Sequence, residues 1–325
     1  MKPRLFIGSS SEGLKYVTYL ERKLADYVDC YKWVDDAVFV PNKNTLDVLI
    51  KQAKLSDFAL LVATKDDVTT NEARGLTRGT IRDNVIFEHG LFLGATSAER
   101  AFLFAQEDAD LPSDFNGVST LRFSETIGKF NHIDVVAEQL IKAIQRAEKQ
   151  SELGFLPSTA LAMGYFTGFV KRVCEALGRD RKILYKKEER PISGYQMKVI
   201  LPANIDDDGV NAFISKYNHI NGLEQADTAV LPGTQGRGYP FHFKIDPPEE
   251  GEGNPINAHI FDVPTTLGTI VEAIKLYLPT NTIGPDIDKE HLERRELRNF
   301  ANVLRHYISR NAWTKGHVEV IEGVE

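Results

Sequence analysis

Cysteine is nearly absent from this chain. Its two thiols, Cys30 and Cys174, can build neither a disulfide framework nor a cysteine-rich metal site, so a disulfide-stapled secreted fold is excluded. A basic surplus is lacking as well: 39 Lys and Arg face 46 Asp and Glu, for a net charge of -7. The balance is even along the chain, with 19 basic against 22 acidic residues up to position 150 and 20 against 24 after it. Neither half reads as a phosphate-backbone module, and no nucleic-acid partner is expected. Long apolar runs are missing too. The longest clean stretch, Phe58 to Ala63, is far short of the roughly 20 residues that span a bilayer. Met1-Lys2-Pro3-Arg4 leads straight into a strand pattern without a signal-peptide h-region. The expectation is a soluble, cytoplasmic protein with no membrane partner and no bound metal. What is present is ordinary globular material, 42% hydrophobic and 26% charged over 325 residues, enough for two cores.

The first 150 residues alternate strand and helix signals. Leu5 to Gly8 reads as a buried strand, and Ser9-Ser10-Ser11-Glu12 as a capping box opening a helix. Leu14, Val17, Leu20, Leu24 and Val28 recur at helical spacing. A strand at Tyr31 to Val34 and a helix at Thr45 to Leu55 follow, then the apolar strand Asp57 to Val62. After a polar loop with Asp66, Asp67 and Arg74 come a helix at Asn84 to Ala95 and strands at Ala101 to Ala105 and Leu121 to Phe123. Val135, Val136, Leu140, Ile141 and Ile144 mark a closing helix. Such alternation predicts a parallel sheet covered on both faces.

Near residue 148 the pattern changes, with a polar junction at 149–154 and a second part over 155–325. That part opens with a helix at Ser158 to Leu177. Strands are expected at Tyr195 to Leu201, Phe241 to Ile245, Ala258 to Phe261 and His317 to Ile321, and helices at Gly209 to Tyr217, Thr265 to Leu278 and Asp288 to Arg310. It is an α+β pattern.

In an open parallel sheet, ligands bind beyond the carboxyl ends of the strands. Gly8 to Ser11 there is either a phosphate cradle or a plain helix cap. The helix carrying Arg82-Asp83-Asn84-Val85-Ile86-Phe87-Glu88-His89-Gly90 is apolar almost all round and should be buried. Glu88 then needs a use or a partner, because a buried carboxylate is costly. A structural pair with Arg82 or Arg100 would also satisfy it.

Phe6-Ile7-Gly8-Ser9-Ser10-Ser11-Glu12, the Asp66-Asp67 pair and Arg82-x-Asn84-Val85-x-x-Glu88-x-Gly90 resemble the TIR-like nucleotide-binding domains of bacterial defence proteins, over residues 1 to about 125. The resemblance implies a flavodoxin-like domain over 1–148 that cleaves NAD+, taken as substrate and not as a resident cofactor, with Glu88 as the catalytic carboxylate. Breaking the nicotinamide–ribose bond develops an oxocarbenium-like ribose and a leaving group that needs no proton, so one carboxylate can suffice. Residues implied at NAD+ are Phe6, Ser9, Ser10, Trp33, Asp66 and Arg82, with Phe6 or Trp33 stacking on a base. Core packing is the alternative for Trp33.

In the second part, Gly164 and Gly168 cost a helix about 1 kcal/mol each relative to alanine. They suggest a close helix approach or a ligand. Tyr165 to Phe169, Gly236-Arg237-Gly238-Tyr239 and Asp262-Val263-Pro264-Thr265-Thr266, in this order, resemble the cyclic-dinucleotide-binding domain of STING in its bacterial form fused behind TIR. The resemblance assigns Phe169, with Tyr165, to base stacking, Arg237, with Tyr239, to phosphate, and Asp262, with Thr265 and Thr266, to the guanine edge. Asp262 could otherwise be a helix cap, and Arg237 a solvated surface charge. The implied whole is an anti-phage effector. A partner nucleotidyltransferase makes the cyclic dinucleotide, cyclic di-GMP, which acts as activating ligand. Its binding to a homodimer drives higher-order assembly through the loop Trp33 to Asn44, and NAD+ is depleted. Two rivals are a non-catalytic TIR scaffold and a base-exchange glycosyltransferase active without the cyclic dinucleotide.

Overall fold

The computed structural model describes residues 2–35, 45–71, 75–112, 115, 120–124, 131–149, 157–185, 188–205, 209–225, 241–246, 254–277 and 286–324. The chain divides into two compact units, 1–152 and 153–325. The expected junction 149–154 lies, beyond Lys149, outside the described residues.

The first unit is a five-stranded, all-parallel sheet in the order β2-β1-β3-β6-β7, formed by Arg4–Ser9 (β1), Asp29–Lys32 (β2), Phe58–Ala63 (β3), Ala101–Gln106 (β6) and Thr120–Phe123 (β7). Every residue of β1 and β3 is buried, which explains their lack of polar alternation. The pleat then sorts side chains to two cores. Leu5, Ile7, Phe58, Leu60 and Val62 face helices Leu14–Leu24 (α1) and Asn131–Lys149 (α4). Phe6, Ala59, Leu61 and Ala63 face Thr45–Leu55 (α2) and Asp83–Thr96 (α3). Each buried Leu or Phe contributes roughly 1.5–3 kcal/mol, so β3 anchors both layers.

Several boundaries differ from the sequence reading. No capping box opens α1. The backbone turns at Ser10–Gly13, Gly13 is the N-cap, and Ser10 Oγ accepts the Gly13 N–H at 3.2 Å. β2 lies two residues earlier than expected because Asp35 accepts the Lys32 N–H at 2.8 Å and closes a turn there. The polar loop after β3 contains a hairpin, Asp67–Asn71 (β4) with Leu76–Thr80 (β5), held by cross-strand hydroxyl pairs Thr69–Thr80 and Thr70–Thr77. Finally, α3 is not buried all round. Val85, His89 and Phe92 form its buried stripe, while Phe87 is 56% exposed.

The second unit centres on a long strand, Glu188–Pro202 (β9). It pairs in parallel with Ile256–Asp262 (β12) and Val318–Val324 (β13), and antiparallel with Lys182–Tyr185 (β8). His242–Asp246 (β11) and the short Glu224–Gln225 (β10) extend the sheet antiparallel. The opening helix is Pro157–Tyr165 (α5), a π-helical turn at Phe166–Val170, and Lys171–Asp180 (α6). A uniform α-helix was the expectation. π turns inside helices are rare and recur at functional positions. Gly209–Asn221 (α7), Leu267–Tyr277 (α8) and Asp286–Arg310 (α9) complete the unit, with α5 packed along α9. A Cβ at Gly164 or Gly168 would meet nothing within 4 Å among the described residues, so neither glycine serves a close approach to the helices described in this unit.

Candidate functional site

Strand order in the first unit reverses between β1 and β3, and the topological crevice of such a sheet lies beyond their carboxyl ends. Gly8, Ser9 and Ser10 stand at that end of β1, Thr64 to Asp66 follow β3, and Trp33 follows β2. Helix α3 lies on β1 and β3 with Val85, His89 and Phe92 as its contact stripe. Glu88 sits on the flank of that stripe, which carries its carboxylate to the end of β1. A Cβ built on Gly8 would lie 3.0 Å from Glu88 Oε2, 2.5 Å from Leu61 Cδ1 and 3.2 Å from Phe6 Cε1. Only glycine admits the carboxylate there.

Glu88 makes no ion pair among the described residues. The alternative of a pair with Arg82 is not realised, because Arg82 lies 3.4 Å from Glu12 Oε1 and 3.7 Å from Asp67 Oδ1. Burial alone pushes the Glu88 carboxyl from its ordinary 4.5 up to about 7. Its neighbour His89 is fully buried and held neutral by desolvation, with Nε2 3.4 Å from the Ala101 carbonyl. That histidine anchors α3 to β6.

The other expected NAD+ residues have defined places. Phe6 is fully buried and stacked on Phe92, with ring centroids 4.5 Å apart at 17°. No face of it is open to a base, so its expected stacking role is corrected to core packing. Trp33 is half-buried, and its Nε1–H donates to Ser9 Oγ at 3.3 Å. Ser9 in turn donates to the Ser10 carbonyl at 2.8 Å. Ser10 Oγ is engaged by Gly13 N–H and by Thr64 Oγ1 at 3.0 Å, and Thr64 donates to Asp66 Oδ2 at 2.7 Å. Thr64, which the sequence reading passed over, is buried between them. A lone hydroxyl directly after an apolar strand was its only sequence signal. Residues 36–44, expected to take part in assembly, lie outside the described residues.

The second candidate site gathers at the π turn and the end of β12. Tyr165 and Asp262 are both buried, and the Tyr165 hydroxyl donates to Asp262 Oδ2 at 2.6 Å across 97 positions of sequence. Phe169 is buried with its ring 5.7 Å from both Tyr165 and Phe241, and Tyr165 lies 6.0 Å from Phe300. Thr265 and Thr266 are half-buried ahead of α8, and Thr266 Oγ1 is a buried hydroxyl without a hydrogen-bond partner among the described residues. Phe241 and Phe300 were not singled out from sequence, where they read as plain core. Arg237 and Tyr239 lie outside the described residues. Among the described residues, no helix is long and apolar enough to cross a membrane.

Comparison with known proteins agrees with this division. Residues 4–125 match the family model described as "CAP12/Pycsar effector protein, TIR domain", and residues 157–305 match "Prokaryotic STING domain". A CD-NTase-associated protein 12 of Sphingobacterium faecium is 45% identical over 326 residues, covering 100% of both chains. Its counterpart in Flavobacterium daejeonense is 36% identical over 324 residues, 99% of each chain. The Pycsar effector protein XpPycTIR of Xanthomonas perforans is 42% identical over 129 residues, 39% of this chain and 42% of its own. The chain therefore belongs to the CD-NTase-associated protein 12 family, with a TIR domain in its first unit and a prokaryotic STING domain in its second.

Proposed function

We propose that this protein is a defence effector in which a cyclic dinucleotide, cyclic di-GMP, binds the STING unit and switches on NAD+ cleavage by the TIR unit. The observation that carries the catalytic half is the Glu88 carboxylate. It is desolvated, makes no ion pair among the described residues and lies against Gly8. Ionised, it faces the cationic ribose that forms as nicotinamide departs, and its low-dielectric surroundings strengthen that attraction. Trp33 offers an aromatic face at the mouth, Asp66 an acceptor for ribose hydroxyls, and Arg82 a cation for the pyrophosphate. Cleavage releases nicotinamide and ADP-ribose and depletes NAD+.

The regulatory half rests on the Tyr165, Phe169, Asp262 and Thr266 cluster. Asp262 can only accept hydrogen bonds, which suits guanine N1–H and N2–H. The Thr266 hydroxyl, which has no hydrogen-bond partner among the described residues, supplies a further polar group, and aromatic rings supply π-faces. Arg237 and Tyr239 take the phosphates in this reading. A two-fold symmetric ligand is matched by a homodimer, which then assembles further. The relatives' names support a partner nucleotidyltransferase as the source of the ligand.

The test is nicotinamide release from NAD+ by the purified full chain, with and without cyclic di-GMP, cyclic di-AMP and a mixed ring. Release that requires cyclic di-GMP supports the reading. No release with any of them would leave the TIR unit as a non-catalytic scaffold, and release without a cyclic dinucleotide would favour an unregulated base-exchange enzyme.

A further inference from the structure

Around the crevice, the described side chains form one continuous chain of buried hydroxyls. The Gly13 N–H donates to Ser10 Oγ at 3.2 Å, the Ser10 and Thr64 hydroxyls are hydrogen-bonded at 3.0 Å, and Thr64 Oγ1–H donates to Asp66 Oδ2 at 2.7 Å. Direction follows from counting protons. A carboxylate only accepts, so the single Thr64 proton goes to Asp66. Ser10 must then give its own proton to Thr64, and its oxygen is left to accept from Gly13. Ser10 and Thr64 are each about 5% exposed, so water does not compete for these bonds. Asp66 is half-buried, and its Oδ1 has no hydrogen-bond partner among the described residues. The chain ties the loop after β1, which borders Glu88 at Gly8, to the loop after β3.

From this geometry we infer that Thr64 is a positioning residue for NAD+. It fixes the Asp66 carboxylate with Oδ2 turned inward, so that Oδ1 is presented to a ribose hydroxyl. This rests on the NAD+ reading given above. Ser10 thereby changes role, from an expected ligand of the pyrophosphate to the inner end of a relay. A free Asp66 side chain would sample several rotamers and lose that orientation on each encounter with substrate. The relay acts on binding more than on bond breaking, because the ribose hydroxyls are present in substrate and transition state alike.

The experiment uses the full chain with saturating cyclic di-GMP and follows nicotinamide release against NAD+ concentration. Thr64→Val, nearly the same shape without a hydroxyl, should raise KM about tenfold while kcat falls less. Thr64→Ser, which keeps the relay, should stay within about twofold of wild type. A merely structural threonine would not produce the third expected result: in Asp66→Ala protein, adding Thr64→Val should change KM less than twofold, because its effect passes through Asp66. Calorimetric NAD+ binding to the Glu88→Gln protein repeats the same cycle without turnover. Equal behaviour of the Val and Ser variants, additive effects in the cycle, or no NAD+ binding overturns the relay. A cycle that couples in binding, in a protein whose wild type releases no nicotinamide, upholds the relay and overturns only the catalytic reading.

Discussion

At the scale of single residues, two carboxylates carry opposite environments. Glu88 is desolvated and has no ion-pair partner among the described residues, and its carboxyl is pushed up to about 7. The folded chain therefore holds this proton more tightly than the unfolded chain does. That contribution to stability is present in full below about 4.5 and is lost as the pH rises through about 7. It amounts to something on the order of 3 kcal/mol. Glu88→Gln removes the titrating group and should end NAD+ cleavage while raising the melting temperature by several degrees at pH 8. The gain at pH 5 should be small. Thermal unfolding at the two pH values checks this, and equal gains would mean that burial does not tax the charge. Wild-type kcat should climb between pH 6 and 8 if the ionised form acts. Asp262, by contrast, is held by the Tyr165 hydroxyl at 2.6 Å. An unsatisfied buried acceptor costs roughly 1–3 kcal/mol, and more when charged. Asp262→Ala should therefore flatten the order cyclic di-GMP, mixed ring, cyclic di-AMP, whereas Arg237→Ala should weaken all three alike. Calorimetric titration with the three ligands decides. Unaltered preference in Asp262→Ala would reduce Asp262 to a structural partner of the Tyr165 hydroxyl.

At the scale of elements, the end of β1 acts as a gauge for the Glu88 carboxylate. Gly8→Ala would set a methyl 2.5 Å from Leu61 Cδ1 and 3.0 Å from Glu88 Oε2. Leu61 is core and yields little, at a cost of about 1–3 kcal/mol for overpacking. The carboxylate must yield too, so kcat should fall at least tenfold while circular dichroism shows the fold retained. Near wild-type kcat would mean that Glu88 has room the geometry does not show. Such contacts explain what was and was not legible in the sequence. Apolar runs such as Phe58–Ala63 and the helical spacing from Leu14 to Leu24 are local signals, and they marked real elements. The β4–β5 hairpin left no apolar alternation to read, because it is held by threonine hydroxyls across the strands. The π turn likewise has no local signature, since Phe166–Val170 would suit an α-helix equally well. Glu88 stood out as a charge in an apolar helix. The engagement of Arg82 with Glu12 and the core position of Phe6 depend on residues 70 and 86 positions away, which no local pattern encodes.

At the scale of the whole molecule, two units share one chain, and the proposed function requires the ligand of one to alter the output of the other. The sequence pattern changes near residue 148 from alternating strand and helix signals to an α+β pattern, and the structure clusters into units 1–152 and 153–325, the second with a mixed sheet built on β9. A ligand with two-fold symmetry can join two STING units through a single set of residues, but a closed dimer alone gives no reason for activity to depend on further assembly. If contacts between liganded dimers are heterologous, they propagate, and each added dimer raises the effective concentration of TIR units around its neighbours. Nicotinamide release at saturating cyclic di-GMP should then rise more steeply than linearly with protein concentration. Sedimentation under the same conditions should show species larger than a dimer. Without ligand, both the steep dependence and the large species should disappear. The assembly step fails if release is strictly first order in protein while a liganded dimer is the largest species, because each dimer would then hold a complete and independent site.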